Sequence, residues 1–384
     1  MIKIGIDATF NLHGGSQGHL NGIIENLNSS QEKLKIFLFL NPKNLSRIDE
    51  KILDRCSIKI IKMSSLGNFF RVFWCQFILP LKAKFYDLDV LFCPGNFSPI
   101  IKTTKVKSQW IATIGPFCKD MYDGAGLIKR LIFFTNKWLI LLSAKTSNII
   151  VHQAEYSKKL FENKFNFLSS RQYLIACGKD DFYRPDLSNI QSSNNLSRIS
   201  SDDLLYVSHL FPYKNMIRLI NSFDNYKSVN NCSSKLFIVG KIMDHQYYNL
   251  LKKMIMNKNL EDQIIFTGIA NKNELKFAYS KCKLFIFPSL CESSGYTLIE
   301  AMSCGAAILA SDRTAIPFTC STAAEYFDGY DEDQISSKLK MLLSNDEKLK
   351  EMRKKSLDRA SQMINYRDAA LLFLKIIKSK IKYN

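Results

Sequence analysis

Along most of the chain, short apolar runs alternate with stretches whose apolar residues recur at helical spacing. "IKIGIDA" (2–8), "KIFLFL" (35–40), "SIKIIKM" (57–63), "DVLFCP" (89–94), "SQWIATI" (108–114) and "NIIVHQ" (148–153) are runs of this kind. Near-continuous apolar strands separated by helices predict a parallel sheet covered on both faces. The pattern fades over 184–203, "RPDLSNIQSSNNLSRISSDD", which is rich in Ser, Asn and Asp and reads as a linker. It resumes with "LLYVSHL" (204–210), "KLFIVGK" (235–241), "QIIFTGI" (263–269), "KLFIFPS" (283–289) and "AAILASD" (306–312). From residue 345 onward the pattern is helical, with 366–368 marking a break between two helices. The expected architecture is α/β: two Rossmann-like, doubly wound domains facing across a cleft. They would span 1–183 and 204–365, with 184–203 between them and a C-terminal helix, 366–384, placed to return to the N-terminal domain.

A chain of 384 residues suits two cores better than one, and 46% hydrophobic residues supply material for both. The net charge of +18 narrows the partners to anions: nucleic acid, acidic lipid headgroups or phosphorylated small molecules. Residues 1–190 carry the larger share, with 26 basic and 15 acidic side chains. No helix-turn-helix, zinc-ligand spacing or RNA-recognition motif accompanies the charge, so no nucleic-acid partner is expected. The ten cysteines form no C-x-x-C pair and sit mostly in apolar runs, as buried thiols of a reducing compartment do. "MIKIGIDATF" reads as a strand and lacks the apolar core of a signal peptide, and no apolar run is long enough to cross a bilayer. The expected location is the cytoplasm, with peripheral contact at the inner face of an anionic membrane as an added option. "LIKRLIFFTNKWLILLSAK" (127–145) bears on that option. Interrupted by Lys129, Arg130, Asn136 and Lys137, it is an amphipathic helix packed on its own domain, lying on a membrane surface, or both. Asp-x-Asp occurs at Asp87/Asp89 and Asp331/Asp333, where a cap or turn role outweighs metal binding.

The candidate chemistry gathers at one strand–loop–helix unit. "CESSGYTLIEAMSCG" (291–305) places Glu292 and Glu300 with seven residues between them, on either side of a Ser-Ser-Gly turn. Ligands of open parallel sheets bind beyond the carboxyl ends of the strands, and a helix start offers backbone N–H groups to phosphate. Ser294, Gly295, Tyr296 and Thr297 would form that start. A carboxylate such as Glu300 can accept both hydrogen bonds of a ribose diol, and Glu292 can hold a sugar or stabilise developing positive charge. "YVSHLFPYKNMIRLI" (206–220) supplies Lys214, a point charge suited to a diphosphate, with His209 and Asn215 beside it. Gly14 and Gly15, in "NLHGGSQGHL" after the first strand, would let a loop approach a ligand closely at the cleft, and His13 and His19 could serve an acceptor hydroxyl.

"FPSLCESSGYTLIEAMSCGAAILASD" resembles the E-x7-E region of retaining glycosyltransferases of family 4, which have the GT-B fold, and "YVSHLFPYKN" resembles their lysine motif. "IIFTGIANKNELKFAYSKCKLFIFPS" is similar to the stretch leading from the base-binding strand into that region. "LFCPGNFSP" and "IGPFCKDMYDG" look like the acceptor side of bacterial members that build cell-surface polysaccharide. The resemblance is specific over the C-terminal half and looser over the N-terminal half. It implies a UDP- or GDP-sugar donor bound in the C-terminal domain. Lys214 would neutralise the diphosphate, Glu292 would contact the sugar, and Glu300 would hold the ribose. Thr267, Gly268 and Ile269 would lie along the base. The acceptor would be a hydroxyl of a glycan, lipid-linked or free, and no metal or other cofactor would be needed. Four positions depart from the family pattern: His209 in place of arginine, Cys177 in place of histidine, Phe318 in place of glutamate, and "WIATIGPF" without its histidine. Two alternatives stay beside the transferase: a GT-B protein that binds nucleotide sugar or glycan without turnover, and a nucleotide-sugar epimerase.

Overall fold

The structure is a computed structural model and describes the chain apart from residues 11, 13, 61–67, 124, 166–169, 189–194, 230–232 and 383–384. The chain folds as two compact units, one made of residues 1–180 and 364–384, the other of 181–363.

The first unit holds a seven-stranded parallel sheet. Its strands are β1 (Ile2–Ala8), β2 (Leu34–Leu40), β3 (Ser57–Ile60), β4 (Val90–Cys93), β5 (Val106–Ile111), β6 (Ile149–His152) and β7 (Gln172–Leu174), in the order β3-β2-β1-β4-β5-β6-β7. The period-two geometry of a strand divides its apolar residues between two faces. Ile36, Leu38 and Leu40 join one core with the helices Gly14–Asn28 and Tyr366–Lys382. Phe37 and Phe39 join the opposite core, with Trp74, Cys75, Leu79 and Ala83 and with Ile140, Leu141 and Ala144 of the helix Leu127–Thr146.

The chain's last helix therefore belongs to the first unit. Tyr366 sits in a cradle made by glycines: a Cβ at Gly22 would lie 2.4 Å from its ring and one at Gly178 would lie 2.5 Å from it. Phe373 then packs against Phe92 and Trp110, at centroid distances of 4.8 and 5.0 Å.

The second unit holds a six-stranded parallel sheet: β8 (Leu204–Val207), β9 (Leu236–Val239), β10 (Ile264–Gly268), β11 (Leu284–Phe287), β12 (Ile308–Ser311) and β13 (Ala324–Phe327). Their order is β10-β9-β8-β11-β12-β13. The chain starts in the middle, winds outward through β9 and β10, and returns to place β11 beside β8. That reversal is a topological switch point, where the loops after β8 and β11 diverge and open a crevice.

The stretch 184–203, expected as a linker, falls within the second unit. Leu196 and Ile199 are buried in its core, the Asp186 backbone N–H donates to Ser280 Oγ, and Asp203 Oδ1 accepts from the Lys235 N–H. Its polar composition hid two apolar anchors, Leu196 and Ile199, too few to stand out as a period. Asp331 caps the helix Glu332–Leu343 by accepting from the Gln334 N–H, and Asp89 accepts from the Lys3 N–H and from Lys105.

Candidate active site

The site is built on the two loops that flank the switch point. After β8 the chain passes through His209 into a 3-10 turn, Pro212–Lys214, and then into the helix Met216–Val229. Asn215, at the junction, adopts a left-handed conformation with φ of 65°. After β11 the chain turns through Glu292 to Gly295 and enters the helix Tyr296–Ser303.

Lys214 reaches across the crevice and donates to Glu292 Oε1. Their side chains are only 10% and 13% exposed, so the pair is nearly dry. Burial opposes the lysine's charge, but the Glu292 carboxylate, followed by Tyr213, outweighs it and holds the Lys214 pKa above its ordinary value. The ammonium also lies 5.2 Å from the Tyr213 ring centroid and 5.6 Å from that of Phe287, so its carbon stem and charge rest on aromatic faces.

The two loops are stitched together by backbone. The Leu290 N–H donates to the Tyr213 carbonyl at 2.9 Å, and Asn215 Nδ2 donates to the carbonyls of Pro288 and Gly329 at 3.1 and 2.7 Å. Asn215, expected at the donor, is 2% exposed, and its amide is committed to those carbonyls, which holds the lysine turn in place. Glu292 is fixed from behind. Its N–H donates to Thr314 Oγ1 at 2.9 Å, with Thr314 itself held at a φ of 51°.

The helix Tyr296–Ser303 begins at Gly295, which sits at φ 75° and ψ 61° and has no side chain with which to cap the first turn. A Cβ there would also lie 2.9 Å from Leu298 Cδ1, so the turn needs glycine on both counts. Thr319 Oγ1 donates to the Ser294 carbonyl at 2.6 Å and pins the turn; Ser294 is 4% exposed, while Tyr296 and Thr297 are half-buried. One helical turn further, Glu300 is half-buried, and Tyr279 Oη donates to its Oε2 at 3.1 Å. Burial, then the Glu300 charge, push the Tyr279 pKa well above its ordinary value, so the phenol stays a hydrogen-bond donor at neutral pH.

His209 is half-buried at the carboxyl end of β8, and its Nδ1 accepts from the Lys241 N–H at 3.2 Å. Beside it the backbone of Gly240 passes so close to β8 that a Cβ would stand 1.9 Å from the Ser208 carbonyl oxygen. Thr267, Gly268 and Ile269 lie at the carboxyl end of the edge strand β10, where Gly268 and Ile269 are exposed.

The residues expected at the N-terminal domain fare differently. Gly14 and Gly15 are the first residues of the helix Gly14–Asn28, not a loop. His19 is a core residue of that helix, with its ring 5.4 Å from Trp110 and 5.8 Å from Tyr366, and burial lowers its pKa to about 3. A histidine on the buried face of a helix is thus no acceptor ligand. His13 lies outside the described residues. Thr314, Thr319, Tyr279 and Tyr213 are the site residues that sequence reasoning missed. Thr314, Thr319 and Tyr279 act through long-range contacts that no local spacing signals, and Tyr213 acts on its neighbour Lys214 and, through its carbonyl, on Leu290.

Two α/β units, each built on a parallel sheet, have the GT-B architecture, with the Lys–Glu pair at the switch point of the second unit and a glycine-started helix beside it. The chain belongs to the group 1 glycosyltransferases. The family "Glycosyl transferases group 1" matches residues 191–359. The O-antigen chain mannosyltransferase RfbU of Salmonella typhimurium is 32% identical over 264 residues, 68% of this chain and 67% of that one. The serotype-specific mannosyltransferase WbdA of Escherichia coli is 27% identical over 173 residues, which are 45% of this chain but only 21% of WbdA. The match thus spans about a fifth of WbdA's length. HepE of Anabaena, solved in complex with UDP and glucose, aligns over 99% of this chain and all of its own with a TM-score of 0.73, at 13% identity. That likeness carries the fold alone.

Proposed function

We propose that the chain transfers a sugar from a UDP- or GDP-sugar to a hydroxyl of a growing, lipid-linked surface glycan, with retained anomeric configuration. The observation that carries this reading is the Lys214–Glu292 pair, held at the switch point beside the glycine-started helix of Glu300. The donor's diphosphate lies against the turn of Ser294, Gly295, Tyr296 and Thr297 and against Lys214, with His209 as a further donor from β8. Phosphate oxygens then compete with Glu292 for the ammonium, and the released carboxylate turns to the sugar as the bond to the leaving diphosphate lengthens. Lys214 and Glu292 serve the chemical step. Glu300, oriented by Tyr279, takes the ribose hydroxyls, and Thr267, Gly268 and Ile269 flank the base. Charge neutralisation falls to Lys214 in this scheme, so EDTA is expected to leave transfer unchanged. The mannosyltransferases among the relatives make mannose the first sugar to test.

The test is a thermal-shift panel with UDP, GDP, ADP and CMP on wild type and Glu300→Ala. Saturating ligand stabilises only a protein that binds it. One nucleoside diphosphate is expected to raise the unfolding temperature of the wild type and not of the variant. No shift with any of them would overturn the donor-site assignment. Binding of a nucleotide sugar with neither transfer nor epimerisation would identify a binding protein.

A further inference from the structure

Two helices on one face of the first unit's sheet carry apolar side chains on their outer sides. The first runs from Asn68 to Phe85 and contains a π-helical turn, Trp74–Ile78. It buries Trp74, Cys75, Leu79 and Ala83 against the sheet. Phe69, Phe73, Phe77, Leu81 and Phe85, spaced four apart, are 72%, 44%, 62%, 67% and 76% exposed. Four residues overshoot one α-helical turn by about 40°. The wider π-turn takes back part of that overshoot, so the five side chains stay nearer one outward line than α-helix alone would allow. The second helix, Leu127–Thr146, packs Ile140, Leu141 and Ala144 onto the same core. Its outer side exposes Leu127, Ile128, Leu131, Phe134 and Trp138, at 85%, 79%, 63%, 55% and 50%. Buried faces that share one core turn the two outer faces to the same side of the unit.

The charge within these two helices has one sign. No Asp or Glu occurs from residue 55 to 86 or from 124 to 154, while Lys82, Lys84, Lys129, Arg130 and Lys137 lie among the apolar residues. Among the described residues, no helix is long and apolar enough to cross a membrane.

We propose that this outer face of the first unit docks on the surface of an anionic lipid bilayer. Phenylalanine, tryptophan and leucine flanked by lysine and arginine suit the boundary between headgroups and acyl chains: the rings enter the interface and the cations remain with the phosphates. A second copy of the chain fits worse. Pairing two such faces would set cations against cations, with no carboxylate in either helix to meet them. The surface belongs to a different unit from the donor site, so its failure would leave the donor reading standing.

Co-sedimentation of the full chain with phosphatidylcholine vesicles, with and without phosphatidylglycerol, tests the proposal. Wild type is expected to sediment with the anionic vesicles at low salt and to be released at high salt. Phe77→Ser/Leu81→Ser/Leu131→Ser removes only exposed side chains and should weaken partitioning on the order of a hundredfold. Lys84→Gln/Lys129→Gln/Arg130→Gln should weaken it by roughly fivefold per cation. A first-unit unfolding transition and a far-UV circular dichroism spectrum unchanged from wild type in both variants would show that each is folded. Equal recovery of wild type with neutral and anionic vesicles, or folded variants that bind as wild type does, would overturn the proposal. So would a wild-type dimer that the apolar variant converts to monomer, with no vesicle binding by either form; that result would assign the face to a second copy.

Discussion

Lys214 and Glu292 stabilise each other in a nearly dry crevice, and removing one strands the other. Lys214→Ala leaves a buried carboxylate without its cation and is expected to cost about 3–5 kcal/mol, besides losing turnover. Lys214→Ala/Glu292→Gln should recover most of that stability and none of the activity, a separation that a double-mutant cycle of denaturant unfolding and initial rates would measure. If the double variant were as unstable as the single one, the pair would not be the source of the cost. The pH dependence has a definite sign. Because the folded-state pKa of Lys214 is raised, the pair's stabilisation is complete below the ordinary lysine range and is lost as pH rises through the folded value. Tyr279 acts at one remove, by orienting Glu300. Tyr279→Phe deletes one hydrogen bond to a charged group and should weaken nucleoside-diphosphate binding roughly tenfold. In kinetics the change should appear in the donor KM with kcat largely kept, whereas a purely structural role for Tyr279 would lower the unfolding temperature and leave KM alone.

At the scale of elements, the chain's alternation disclosed every strand long or apolar enough to stand out. The two it did not disclose, β7 (Gln172–Leu174) and β13 (Ala324–Phe327), are the last strands at one edge of each sheet. Edge strands are short and carry polar residues, so neither gives an apolar run. The loops bearing Lys214 and Glu292 were legible because each is a strand–loop–helix unit complete in local sequence. The packing of Tyr279 on Glu300, or of Thr314 behind Glu292, was not, because it depends on which strands become neighbours. The glycines of 14–15 start a helix where a loop was expected, because glycine after a strand signals a ligand loop and a helix start equally well. Gly295 combines both meanings at one residue. Gly295→Ala would force a Cβ into a left-handed backbone and against Leu298, at an expected cost of about 1–3 kcal/mol. Chemical denaturation would give that cost, and calorimetry should show weakened nucleoside-diphosphate binding in the same variant. Unchanged binding would separate the turn from the phosphate site. The C-terminal helix is secured by its own anchors, and Phe373→Ala, which opens space between Phe92 and Trp110, should destabilise the first unit by about 3–5 kcal/mol.

For the whole molecule, the two units differ in how they answer to pH and to ligand. Among the described residues, the first unit buries two histidines, His19 against Trp110 and Tyr366, and His152 at the end of β6, and burial lowers the pKa of each to about 3. In the unfolded chain both would titrate at the ordinary histidine value of about 6.5. Between those values the unfolded state binds protons that the folded state refuses, so stability falls as pH falls. Each histidine should cost about 2 kcal/mol between about pH 7 and about pH 5, since one pH unit below the unfolded value is worth about 1.4 kcal/mol per group. The proposed donor site lies in the second unit, so nucleoside diphosphate should stabilise that unit. Calorimetric scans across this pH range, with and without the nucleotide, should therefore move two transitions separately: acid lowering one, nucleotide raising the other. His19→Leu keeps the apolar packing and removes one titrating group, so about half of the acid effect should vanish while the nucleotide shift remains. An acid effect unchanged in that variant would mean that the buried imidazole is not what limits the first unit at low pH.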